Sequence, residues 1–205
     1  MAQKLYEETN IQDIADAIRA KNGTTTTYKT NEMAAAIRGI DTSGGGTSDE
    51  LVKQLVQTRG GILTIPSDIG ITKIARYACA YSSYNEINLP EGVTEINNYA
   101  FYDCSISTIV LPQSITKIGV YAFGMCEYLK RITFPQNLET IQSSAFSNCK
   151  WLISVTFKGT PTAIDSTAFV SCNRLTTINV PWAEGAVANA PWGATNATIN
   201  YNYTE

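Results

Sequence analysis

The chain contains no histidine. That removes the commonest general base and the commonest neutral metal ligand. Charge is sparse: 16% of the residues are Asp, Glu, Lys or Arg, and the formal net charge is −3. Nucleic-acid binding needs clustered Lys and Arg, so no nucleic-acid partner is expected. Five cysteines occur, but no CxxC pair, which leaves no zinc or redox signature. No stretch approaches the roughly 20 apolar residues of a membrane span. Met1–Glu8 has no apolar h-region and does not read as a secretory signal, which predicts a chain made in the cytoplasm. GxSxG, P-loop and dinucleotide fingerprints are missing as well. Glu91 and Glu95 are near each other but read as ordinary surface. No cofactor, metal or enzymatic activity is expected.

What the chain does have is a repeat. Ile-x-x-x-Ala-Phe occurs as Ile96…Ala100-Phe101, Ile118…Ala122-Phe123, Ile141…Ala145-Phe146 and Ile164…Ala168-Phe169, with Ile74…Ala78-Cys79 upstream. Further columns follow in register: Cys104, Cys126, Cys149 and Cys172; then Ile87, Ile109, Ile132, Val155 and Ile178; then Leu89, Leu111, Phe134, Phe157 and Val180. A proline closes each segment at Pro90, Pro112, Pro135 and Pro181, with Lys158 as the exception. Leu63–Pro66 is an incomplete leading copy. The I-x-L segment alternates with period two, as a half-buried strand does, and proline ends it because it has no N–H for a ladder. V-T-x-I reads as a second short extended piece, and A-F-x-x-C as a turn carrying an aromatic inward. Ordering one such unit costs about 1–2 kcal/mol per residue in backbone entropy. Its five or six large apolar groups return only about 1.5–3 kcal/mol each. Each coil must therefore borrow core and hydrogen bonds from its neighbours, as in a solenoid.

The consensus L-x-x-I-x-L-P-x-x-V-T-x-I-x-x-x-A-F-x-x-C resembles the BspA-type leucine-rich repeat. The resemblance covers residues 62–182. It implies a β-rich (α+β) leucine-rich-repeat solenoid of about five repeats of 22–23 residues, and it leaves the function open.

The ends need caps. Thr47 and Glu50 form a capping box, and residues 48–61 read as an N-terminal helical cap. Residues 183–205 read as a C-terminal cap. A short helix is expected near 183–189 and a strand at 197–201, and Trp182 and Trp192 either cover the core or meet a ligand.

Residues 1–40 stand outside the repeat and read as a two-helix attachment module. Ile11, Ile14 and Ile18 line one helix face, and Met33 and Ile37 line another. Two helices in 40 residues fall below the size of a self-sufficient domain, so these faces need a partner surface. That surface is a second copy, the solenoid end or a larger assembly. Residues 41–47, DTSGGGT, form a flexible linker. The string IADAIRAKNGTTTTYKTNEMAAAIRGI resembles a short module of tail and other virion proteins of bacteriophages. The resemblance implies a non-enzymatic virion structural protein, located in the virion and attached to other virion proteins at tail, baseplate or head. Its repeats would meet host-surface polysaccharide or protein. The rival is a BspA-type adhesin or interaction module at the bacterial surface or in the cytoplasm.

Three constellations could carry recognition. Tyr77, Tyr99 and Tyr121 form a column, with Tyr102 and Tyr81 beside it, and they either stack on sugars or pack on one another. The outward strand positions include Glu86, Thr108, Arg131, Thr133, Thr156 and Asn179, either a plain solvated β surface or a site for a polar glycan. The cysteine column reads as reduced, packed thiols rather than disulfides.

Overall fold

The computed structural model describes residues 61–65 and 71–204. The two-helix module, the linker and nearly all of the N-terminal cap lie outside the described residues, and with them Ile11, Ile14, Ile18, Met33 and Ile37. Gly61, expected as the end of that cap, already belongs to the first strand.

The chain winds into coils with two strand-bearing sides and one side of turns. The first side carries β1 (Gly61–Thr64), β3 (Tyr84–Asn88), β5 (Thr108–Val110), β7 (Arg131–Phe134), β9 (Ser154–Phe157), β11 (Thr177–Asn179) and β12 (Thr198–Asn200). The second carries the two-residue strands β2 (Lys73–Ile74), β4 (Glu95–Ile96), β6 (Lys117–Ile118), β8 (Thr140–Ile141) and β10 (Ala163–Ile164). All pairings are parallel, and like columns meet: Ile87 with Ile109, Val155 with Ile178, Ile96 with Ile118. A parallel stack is what a repeat of constant hand and length must give. It makes about six turns, the leading copy completing the sequence-derived five.

The turn side is bonded from coil to coil as well. The amide of each residue in the Phe column donates to the carbonyl of the Ala column one coil on: Phe101 to Ala122, Phe123 to Ala145 and Phe146 to Ala168, each at 2.8 Å. Inside, Phe101, Phe123, Phe146 and Phe169 are fully buried and stack face to face, with centroids 5.1, 5.0 and 5.3 Å apart. The Ile, Leu and Cys columns complete one continuous core.

Residues 183–189 are turns and bends rather than the expected helix, and no described residue is helical. Gly185 at φ 82° and Asn189 at φ 67° hold left-handed backbone, which interrupts a right-handed helix. The segment instead completes one more coil, in which Trp192 takes the Ala column and its carbonyl accepts from the Phe169 amide at 2.9 Å. Trp192 and Trp182 are buried against Phe157, the last aromatic of the strand column, so both serve as core cover. The closing strand is β12, paired on β11.

Candidate functional site

The first side is not one sheet. It divides into β1-β3-β5 and β7-β9-β11-β12, with no ladder between β5 and β7, whereas the second side is continuous from β2 to β10. The cause lies in the connectors that lead from the turn side into each strand. One residue separates Ser82 from Tyr84 and Cys104 from Ile106, but two separate Cys126 from Leu129, Cys149 from Leu152 and Cys172 from Leu175. Like connectors bond to each other: the Ser105 amide donates to the Ser82 carbonyl at 3.0 Å, and the Trp151 amide to the Glu127 carbonyl at 3.1 Å. At β5 and β7 unlike connectors meet. One added residue displaces strand entry by up to about 3.3 Å, a full residue step, and the ladder fails there.

The outward side chains follow the same division. Away from the seam they satisfy one another: the Asn179 amide donates to the Thr156 hydroxyl at 3.3 Å, the Asn200 amide to the Asn179 side-chain oxygen at 2.8 Å, and the Asn88 amide to Glu86 at 3.2 Å. Glu86, Thr156 and Asn179 are half-buried in this way. At the seam Thr108, Val110, Arg131 and Thr133 are all exposed, Val110 at 66%. A groove of about 290 Å³ opens there. Val110 and Gln113 line it from one coil, Arg131, Thr133 and Pro135 from the next, and Lys158 from the third. Lys158 is seated by its amide, which donates to the Phe134 carbonyl at 3.0 Å. Gly159 beside it must lack a side chain, because a Cβ there would lie 2.0 Å from the Gln136 carbonyl oxygen. The structure thus gathers Arg131 and Thr133 of the proposed residues at one place and leaves Glu86, Thr156 and Asn179 in side-chain ladders. Val110, Gln113 and Lys158 had no place in the expected site. The unequal connectors and the missing proline at Lys158 were the signals for it.

The tyrosines pack on one another. Tyr99 stacks between Tyr77 and Tyr121 with centroids 4.9 and 5.2 Å away. Tyr102 meets Tyr99, Tyr121 and Tyr81 edge-on. Gly124 makes room, since a Cβ there would lie 2.8 Å from the Tyr121 ring. Tyr77, Tyr99 and Tyr121 also hold left-handed backbone, at φ 61°, 60° and 51°. That conformation is rare for bulky residues and costs about 1–2 kcal/mol. The ring faces between Tyr77, Tyr99 and Tyr121 are occupied by one another, while Tyr77 and Tyr81 stay exposed at 43% and 68%. Partial desolvation, followed by the Tyr81 phenol and the Asp103 carboxylate, raises the pKa of Tyr102.

The five cysteines are free and buried. Cys126, Cys149 and Cys172 donate to the carbonyls of Phe101, Phe123 and Phe146 at 3.0, 3.2 and 3.0 Å. Burial pushes the thiols of Cys79, Cys126 and Cys149 well above their ordinary value. They are core groups, not nucleophiles. One exposed row escaped the sequence reading: Tyr128, Trp151 and Arg174 step by 23 along the two-residue connectors, with the Arg174 guanidinium 3.7 Å over the Trp151 ring. No group of acidic, cysteine or histidine side chains suited to a metal ion occurs among the described residues.

The BspA type leucine-rich repeat region model matches residues 62–183 in six copies. Among solved structures, the Treponema pallidum leucine-rich repeat protein TpLRR is similar at 27% identity and TM-score 0.50, over 58% of each chain. The pneumococcal vaccine antigen PcpA is similar at 17% identity and TM-score 0.51, over 73% of this chain and 43% of that one, a likeness of fold alone. The chain thus spans less than two thirds of the length of either protein. No curated protein matches it. With the six matched copies and the stacked columns in agreement, the chain belongs to the BspA-type leucine-rich-repeat family.

Proposed function

We propose that this protein is a non-enzymatic recognition component of a bacteriophage particle. Residues 1–40 attach it to tail, baseplate or head, and the repeats contact the host surface. The observation that carries the recognition half is where the chemistry lies. The repeat columns fill the interior with apolar side chains and inert thiols. Polar side chains lie on the outside, Arg131 and Thr133 among them at the groove where the first sheet divides. An interior of this kind provides no perturbed acid–base pair, and a solenoid exterior is an extended binding surface. The particle half rests on the resemblance of the string from Ile14 to Ile40 to virion modules.

Mass spectrometry of purified, washed particles tests this reading. Peptides from both the first forty residues and the repeats are expected there in stoichiometric amount. Recovery from the bacterial wall, with particles devoid of the protein, would replace it by the adhesin reading.

A further inference from the structure

We propose that the groove at the divided sheet binds an acidic sugar, a ring bearing a carboxylate within a polysaccharide. The inference rests on the recognition reading above and specifies its ligand. Three departures from the repeat pattern converge on this groove. The connector before β7 gains a residue and opens the ladder. The outward column that reads Glu86, Thr108, Ser154 and Thr177 elsewhere places Arg131 here. The column that reads Pro90, Pro112, Pro135 and Pro181 elsewhere places Lys158 here. The first removes ladder bonds, and Arg131 engages no ion pair among the described residues of the stack. The third replaces a strand-ending proline, and the Lys158 amide, which a proline would lack, bonds to the Phe134 carbonyl at 3.0 Å.

Two cations on one groove are notable in a chain of net charge −3. Ion pairs among the described residues join Lys73 to Glu95 and Lys150 to Glu127, and none engages Arg131. Its guanidinium fork matches the two oxygens of a carboxylate, with Lys158 as a second positive point. Val110 presents apolar surface to the C–H face of a ring, while the Gln113 amide and Thr133 hydroxyl suit its hydroxyls. The volume of about 290 Å³ lies at the foot of the range for small-molecule pockets, about 300–1,000 Å³, and suits a sugar unit. No aromatic lines the groove to anchor a protein partner.

The test uses the full chain in calorimetric titrations with α-1,4-trigalacturonic acid, a neutral galactose trisaccharide, tri-glutamate and inorganic phosphate, together with adhesion to host cells. Trigalacturonate is expected to bind at least about tenfold tighter than the neutral sugar, and more weakly as salt is raised. Arg131→Ala and Lys158→Gln should each weaken it roughly tenfold, the scale of one lost charge-assisted hydrogen bond. Arg131→Lys should restore part of that loss, and Tyr77→Phe, outside the groove, should change nothing. All three positions are exposed, and circular dichroism checks that the variants fold. Equal binding of acidic and neutral sugars, indifference to Arg131→Ala, or absence of trigalacturonate binding overturns the proposal. So does tighter binding of tri-glutamate, which would make this an acidic-peptide site, or equal binding of bare phosphate. Wild-type adhesion to cells that survives Arg131→Ala removes the groove and leaves the recognition reading standing; wild-type protein that fails to adhere removes that reading itself.

Discussion

Replacing Trp192 with alanine separates a cap tryptophan from a ligand-binding one. Trp192 is fully buried, 6.3 Å from Phe157 and 6.4 Å from Trp182 by ring centroid. A buried tryptophan hides about 150–250 Å². At about 25 cal/mol per Å² that is worth about 4–6 kcal/mol, and truncations of this kind cost about 3–5 kcal/mol in practice. The indole N–H donates to the Ala188 carbonyl at 2.7 Å, but Ala188 is exposed, so water can replace the donor and little is added. The expected loss is therefore about 3–5 kcal/mol. In a stack whose coils touch only their neighbours, it falls on the last coils first. Hydrogen exchange should rise at Ile178 and Val180 while Ile96 and Ile118 keep their protection. An unfolding free energy in urea lowered by less than about 1 kcal/mol, or loss of protection spread evenly over the chain, would refute the cap reasoning. Loss of host-cell adhesion with unchanged stability would return Trp192 to the ligand-binding reading.

The other expectations concern the thiols, the groove and the seam. The folded thiols of Cys79, Cys126 and Cys149 hold their protons above the unfolded value, so their contribution is complete below about pH 8.5 and is lost as pH rises beyond it. Unfolding free energies from urea denaturation should fall from pH 8 to pH 10, by up to about 1.4 kcal/mol per unit and thiol, and Cys149→Ala should flatten that slope. Gly159→Ala drives a Cβ against the Gln136 backbone, which cannot swing away; chemical denaturation should show a loss of about 1–3 kcal/mol. Amides of β5 and β7 that face the seam should exchange faster in NMR than their counterparts between β9 and β11, because no ladder holds them.

The columns were legible because burial repeats with the chain's own period. Ile87, Ile109, Ile132, Val155 and Ile178 had to share one wall, and each is buried there. The thiols were legible for the same reason: a residue recurring between Phe and Leu columns has only the core to enter. The helix expected after Trp182 failed because Gly185 and Asn189 in the run E-G-A-V-A-N-A take left-handed backbone, which interrupts a right-handed helix. One more coil buries Val187 and Trp192 instead. The seam was written in the spacing of Cys126 to Leu129, yet column identity alone does not reveal it. A single added residue leaves every apolar position in its column and changes only the geometry of strand entry. The tyrosine ladder was half legible: the alignment was plain, but the left-handed backbone that turns the rings onto one another is a conformational fact no composition carries.

The seam also has a mechanical meaning. Between the coil of β5 and the coil of β7, the second side still pairs Lys117 with Thr140 and Ile118 with Ile141, and the turn side still joins Phe123 to Ala145. The first side contributes no ladder, only the bond from the Asn137 side-chain amide to the Gln113 carbonyl at 3.0 Å just beyond the strands. A pull along the stack is resisted there by two walls, where the levels just before and just after it are tied on all three. Tension between the two ends of the solenoid would bear on that level through two walls instead of three, and the groove is where such a load would act.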